Sequence, residues 1–339
     1  MSVKRINLAL QGGGVHGAFT WGVLDRLLEE GRIEIAGISG TSAGALNGAA
    51  LKAGLVAGGR QGARDNLDWL WSKVSGLDDM KVADWLSSLA MPTDMFSAML
   101  EMSPAYLMLD AATRAASPYS FGTGIENPLR RIVEQMDFAN VCADEGPELF
   151  IGATNVRSGK IKVFSGDAIT TDAILASACL PTLFRAVEID GAAYWDGGYT
   201  GNPALYPLYE DRFPDDIVVV NINPIERASI PVTPQQIVNR INEISFNTSL
   251  LRELRAVHFV QRLLDEGRMP PGTMKRVLVH MIADDALMND LGVATKTVAT
   301  PVIVSRLRAA GRGAADRFLS AHLDDLNTVG TVDLKQMFG

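Results

Sequence analysis

The chain has 339 residues and is 47% hydrophobic, enough to bury a substantial core as one large domain or two smaller ones. A formal net charge of −8 argues against a nucleic-acid partner and against a broadly basic membrane-binding patch. Cys142 and Cys179 are too few for a disulfide scaffold and too far apart for a close metal pair; with no clustered His, Cys or carboxylate spacing, neither a metal nor another cofactor is expected.

No apolar stretch approaches the roughly 18–20 residues that cross a bilayer. The apolar run behind Lys4 and Arg5 is interrupted by Gln11 and glycines too early for a secretory segment. The expectation is a soluble cytoplasmic protein, with transient contact to a membrane surface as the most a membrane could contribute.

In chain order, Ile6 to Leu10 reads as a short buried strand, and Ala18 to Leu28 as a helix with Trp21, Leu24, Leu27 and Leu28 at helical spacing. Glu34 to Ile38 is a second strand, followed by a small-residue helix over Ala43 to Leu51. Strand and helix alternating at this spacing predict an α/β protein with parallel strands. Residues 62–125 read as a helical insertion, rich in methionine and in Trp69, Trp71 and Trp85, with breaks at Pro92 and Pro104. Within it Met95, Met99 and Met102 fall at i, i+4, i+7; such a thioether face suits an acyl pocket or a lid, although apolar stripes at this spacing are usually ordinary core packing.

Further strands are expected at Leu149 to Ala153, Ile161 to Phe164, Ile217 to Ile222 and Val277 to Ile282, with a hairpin turning at Asp190-Gly191. Helices are expected at Asn127 to Met136, Pro234 to Glu266 and Val302 to Leu326. This divides the chain into an α/β unit over residues 1–225 and a mainly helical region over 226–339 packed on it. Arg252, Arg255, Arg262 and Arg268 alternate with acidic residues at helical spacing and read as a solvated helix face.

Two glycine motifs carry the chemistry. Gly40-Thr41-Ser42-Ala43-Gly44, between a β-branched run and a helix-forming run, is the sharp turn that lifts a serine hydroxyl clear of a sheet. Ser42 is the candidate nucleophile, although a helix N-cap is a common role for serine. Gly12-Gly13-Gly14-Val15-His16-Gly17 follows the first strand and fits the dinucleotide fingerprint, but the second strand runs into Ser39-Gly40-Thr41-Ser42, with no acid for a ribose. Converging backbone N–H groups can instead hold the oxygen of a tetrahedral acyl intermediate.

Serine needs a base to take its proton. His258 lies in strongly helical sequence and His280 in an apolar strand with no turn beside it, so neither reads as a loop-borne base. Asp196-Gly197-Gly198 presents a carboxylate at a strand end, where glycines permit close backbone approach, whereas Asp190 belongs to the hairpin turn.

Taken together, the Gly12 to Gly17 loop, Gly40 to Gly44, Ala176-Ser177-Ala178-Cys179-Leu180-Pro181, and Asp196-Gly197-Gly198 with Asn202-Pro203 resemble the patatin-like phospholipases, serine acyl hydrolases that use a Ser/Asp dyad. The resemblance covers residues 5 to about 225. It implies a three-layer α/β/α fold with a mostly parallel central sheet and a C-terminal helical extension. It also implies a lipid or other acyl-ester substrate, Ser42 as nucleophile, Asp196 as dyad acid, and an oxyanion hole from Gly12, Gly13 and Gly14 with Ala43. His16 stands where many members carry Arg or Lys, and a neutral imidazole leaves the choice between phospholipid and neutral ester open. The alternatives are an α/β-hydrolase esterase with a histidine base, and a non-catalytic lipid- or nucleotide-binding module. Nothing in the sequence sets the oligomeric state.

Overall fold

Strand β1 (Lys4–Leu10) shows how the layers arise: Ile6, Leu8 and Leu10 enter one hydrophobic core while Ala9 enters another. The same period of two divides β7 (Asp216–Val220), with Val218 and Val220 on the first side and Ile217 and Val219 on the second. A strand buried on both faces needs a helical layer on each. The computed structural model describes residues 3–77, 91–120, 127–227, 230–270 and 272–338.

The remaining strands are β2 (Ile33–Thr41), β3 (Glu148–Asn155), β4 (Ile161–Ser165), β5 (Val187–Ile189), β6 (Ala192–Asp196) and β8 (Leu278–Ile282). The sheet runs β5, β6, β3, β2, β1, β7, β8, with β4 paired to β3. Strands β1, β2, β3, β7 and β8 are parallel, and β4, β5 and β6 antiparallel. The chain leaves β1 toward β2 on one side and reaches β7 on the other, so the switch point lies at the carboxyl end of β1, where ligands of open α/β sheets bind.

On one face pack α1 (Gly17–Glu29), α2 (Ala43–Ser75), α5 (Arg130–Val133), α6 (Phe138–Val141), α7 (Thr171–Ser177) and α11 (Pro301–His322). Between α2 and α5 lie α3 (Thr93–Glu101) and α4 (Pro104–Ala115). The opposite face is covered by α8 (Pro234–Asp265), through Leu250, Leu254 and Val257, and by Leu334 of α12 (Leu334–Phe338). Two short helices, α9 (Asp285–Asp290) and α10 (Val293–Thr297), connect β8 to α11. This is the expected α/β/α sandwich.

Two expected boundaries do not survive. Helix α2 doubles back at Gly58-Gly59, whose backbone angles are not helical; Asn66 Nδ2 donates to Ala50 O at 3.3 Å and Trp71 Nε1 to Asn47 Oδ1 at 2.9 Å, and the returning limb buries Ala63, Leu67, Leu70 and Trp71 in the main core. That limb belongs to the core and is no separate insertion. Nor is 225 a border: β8 extends the sheet beside β7, and α11 lies on α1. Buried Asp25 of α1 ties these layers together, pairing with Arg64 of α2 at 2.6 Å and with Arg308 and Arg312 of α11. Trp85 lies outside the described residues.

Candidate active site

Strand β2 ends at Thr41 and α2 begins at Ala43, so Ser42 alone makes the turn, with φ 55° and ψ −120°. For a residue with a side chain such a conformation costs on the order of 1–3 kcal/mol. The flanking glycines allow it: a Cβ on Gly44 would lie 2.0 Å from the Leu10 carbonyl oxygen, and one on Gly40 2.5 Å from that of Gly44. The positive end of α2 thus sits beneath the serine.

Strand β3 sets Ser42 and Asp196 side by side. Its Gly152 partners Thr41, and the next residue, Ala153, partners Asp196. The approach is close enough that a Cβ on Gly197 would stand 2.2 Å from Gly152 O. The Ala176 to Pro181 segment then holds both residues by their backbones: Ser42 N–H donates to Ser177 Oγ at 2.9 Å, and Asp196 N–H to Cys179 O at 2.8 Å. Ser177 Oγ in turn donates to Gly152 O at 2.6 Å. The sequence singled out this segment without giving it a task.

Asp196 is 1% exposed, and Gly198 N–H donates to its Oδ1 at 2.8 Å. Burial pushes its carboxyl up to about 7, against the downward pull of the Gly198 N–H and the Ser42 side chain. A carboxylate there titrates where a general base for neutral pH should.

The glycine loop divides. Gly12 N–H is occupied by Asn202 Oδ1 at 2.7 Å, and its carbonyl accepts from Asn223 Nδ2 at 2.7 Å, so Gly12 braces the loop and has no donor to offer an oxyanion. Gly13, Gly14 and Ala43 instead line one cavity with Ser42 and Asp196. Their N–H groups meet no acceptor among the described residues. Asn202 is a site residue that the motif contained and sequence reasoning did not use.

None of the four histidines lines this cavity. His16 is fully buried with Nε2 2.9 Å from Thr295 Oγ1; burial, then the nearby Lys296, holds its pKa well below the usual value and keeps it neutral. His280 is locked between Asp216 at 2.9 Å and Thr331 at 3.2 Å. His258 lies along α8, and His322 pairs with Asp325. Asp190 is exposed in its turn at φ 50°.

The cavity holds about 1270 Å³, above the roughly 300–1,000 Å³ of common ligand pockets. Leu70, Trp71 and Val74 of α2, Tyr106, Leu129, Ile132 and Phe184 supply apolar wall. Met95, Met99 and Met102 do not line it; they are 57%, 51% and 76% exposed. The reason is that α3 docks by its polar side, Ser97 Oγ accepting from Gly292 N–H at 2.7 Å and Glu101 Oε1 from Val293 N–H at 2.8 Å. The methionines face outward.

Asn223, Asn239, Asn242, Glu243 and Lys296 make a polar wall. Burial pushes the Glu243 carboxyl upward, but Arg227 and Lys296 outweigh it and hold the group at about 2.

The architecture and the site together define an α/β protein with a serine at a strand-to-helix elbow, a buried acid beside it and open backbone donors facing the same cavity. The family model for patatin-like phospholipase matches residues 8–209, and the chain belongs to that family. Its folding pattern is also similar to VipD from Legionella pneumophila, at 17% identity and a TM-score of 0.44 over 94% of this chain and 67% of that one. The ExoU–SpcU complex of Pseudomonas aeruginosa matches at 16% identity and a TM-score of 0.32, over 95% of this chain and 61% of that one. No curated protein matches the sequence. Among the described residues no helix is long and apolar enough to cross a membrane.

Proposed function

We propose that the chain is a serine lipid acyl hydrolase of carboxylic esters, working through Ser42 and Asp196. The observation that carries this reading is the shared register on β3, which brings a serine forced into a strained turn against a buried carboxyl titrating at about 7. Ionised Asp196 takes the hydroxyl proton as Ser42 Oγ attacks the ester carbonyl. The N–H groups of Gly13, Gly14 and Ala43 receive the developing oxyanion, helped by the dipole of α2. Protonated Asp196 returns the proton to the leaving alkoxide, and water repeats the sequence on the acyl-enzyme. The apolar wall of the cavity accommodates the acyl chain.

Support for lipid as substrate comes from family membership and from the outward apolar side chains of α3 and of the start of α8, where Ile237, Val238, Ile241 and Ile244 are exposed. Val238 also lines the cavity, so the start of α8 flanks its approach and suits a lipid surface. A fluorophosphonate probe followed by peptide mapping tests the nucleophile, with p-nitrophenyl ester turnover measured in parallel. Labelling at Ser42 is expected, and Ser42→Ala is expected to lose at least about a thousandfold in turnover while staying folded. Undiminished turnover in that variant rejects the reading, and a histidine base prevails if Asp196→Asn is fully active.

A further inference from the structure

Behind the polar wall of the cavity one buried carboxylate, Glu243, gathers three cations, of which Lys296 lines the cavity while Arg227 and Arg240 line a neighbouring pocket with Asp94, Glu101 and Asp290. Glu243 accepts from Arg227 Nη2 at 2.6 Å, Lys296 Nζ at 3.0 Å, Asn239 Nδ2 at 3.1 Å and Arg240 Nη1 at 3.4 Å, and its side chain has no exposed surface. The buried charge of Glu243 is thereby paired, as a desolvated charge must be. The two guanidiniums spend further donors on backbone carbonyls: Arg227 on Asn289, and Arg240 on Pro224 and Ile225.

Lys296 differs from both. An ammonium has three donors, and among the described residues Glu243 is the one partner of its Nζ. Lys296 lines the same cavity as Ser42 and Asp196, and its carbonyl oxygen stands 2.2 Å from where a Gly14 Cβ would be, so α10 is seated directly on the oxyanion loop. The neighbouring imidazole of His16 is buried and neutral and adds no charge of its own. Lys296, Glu243, Arg227 and Arg240 all lie beyond the stretch, residues 8–209, that the family model matches.

We infer that Lys296, fixed by Glu243 and backed by Arg227 and Arg240, is a specificity-determining residue that takes the phosphate of an acyl ester whose carbonyl lies at Ser42. Selectivity for phosphate-bearing over neutral esters then resides in the C-terminal segment, outside the glycine loop. The inference rests on the hydrolase reading for its substrate and stands apart from it for its binding site.

The test compares kcat/KM for a 1-acylglycerol 3-phosphate and a 1-monoacylglycerol of the same chain length. Lys296→Met is expected to lower the phosphate-to-neutral ratio at least tenfold, and Lys296→Arg to keep it within about threefold of the parent, because the charge remains. An unchanged ratio in Lys296→Met overturns the inference.

A second arm needs no turnover: calorimetry of glycerol 3-phosphate and of inorganic phosphate with Ser42→Ala protein, with and without Lys296→Met. Binding of glycerol 3-phosphate that disappears with the lysine supports the subsite even if no ester is cleaved, whereas ester cleavage without such binding removes the subsite and leaves the hydrolase. Inorganic phosphate binding lost with the lysine while the substrate ratio stays fixed marks a site for the free ion and also overturns the inference. Should Lys296→Met fail to fold, competitive inhibition of neutral-ester turnover by glycerol 3-phosphate in the parent protein is the required result, and its absence counts against the subsite.

Discussion

Asp196 is the residue whose environment makes the firmest kinetic statement. In the proposed mechanism its carboxyl, lifted by burial to about 7, must be ionised to accept the Ser42 proton, so the rate is expected to rise as pH passes upward through that value and to level above it. On a soluble neutral ester, kcat/KM is expected to fall about tenfold per pH unit below 7. A limb centred near the ordinary aspartate value, about 4, shows that burial does not raise this carboxyl. Ser42 and Asp196 were legible in the sequence because each stands among glycines whose only economical explanation is close backbone approach. Ser177, Asn202 and Lys296 were not: Ser177 serves Ser42 across 135 positions, and Asn202 serves Gly12 across 190. A single sequence carries no trace of such pairings.

At the scale of elements, periodicity located the strands well and misjudged two helices. The strands are short β-branched runs buried on both faces, a pattern with few rivals once turn residues bound it. The second limb of α2 was hidden because Gly58 and Gly59 fold the chain back on itself before helix resumes, a reversal that apolar spacing does not record. For α3, spacing gave the faces correctly but not which of them points inward, because that is decided by Gly292 and Val293, nearly two hundred residues away, whose N–H groups claim Ser97 and Glu101. An apolar face turned outward beside a cavity has a measurable consequence. Replacing Met95, Met99 and Met102 together by serine is expected to weaken co-sedimentation with phospholipid vesicles on the order of tenfold to a hundredfold, at about 1 kcal/mol per half-inserted side chain. Turnover of a soluble short-chain ester serves as the folding control, and vesicle binding equal to the parent's removes this face from any lipid contact.

For the whole molecule, the groups that build the site also set stability against pH. Asp196 and Glu253 are both raised by burial to about 7. A carboxyl raised in the folded state contributes stability that is complete below its unfolded value, near about 4, and lost as pH climbs through the folded one. Glu243, held at about 2, and the lowered Asp25 and Asp216 behave oppositely, their contributions being lost only as the solution turns strongly acidic. His16, buried and neutral, costs stability as pH falls below about 6.5, because the unfolded chain takes up a proton the folded one refuses.

Between about pH 5 and 8 two carboxyls therefore oppose one imidazole, and self-repulsion of a chain carrying a formal −8 at pH 7 adds to the carboxyls' side. Stability is expected to decline toward pH 8, while the proposed hydrolysis, which would need Asp196 ionised, increases over the same interval. Activity and stability should thus have separate optima, with activity at the more alkaline pH. Thermal unfolding across this range, run beside Asp196→Asn, checks the argument. The amide keeps an oxygen for the Gly198 N–H without burying a charge, so the variant should be more stable than the parent at pH 8, by at most about 4 kcal/mol, and its advantage should shrink to under about 2 kcal/mol at pH 5. A variant no more stable than the parent at pH 8 means that ionising Asp196 costs the fold nothing, which is incompatible with a carboxyl held at 7 by burial.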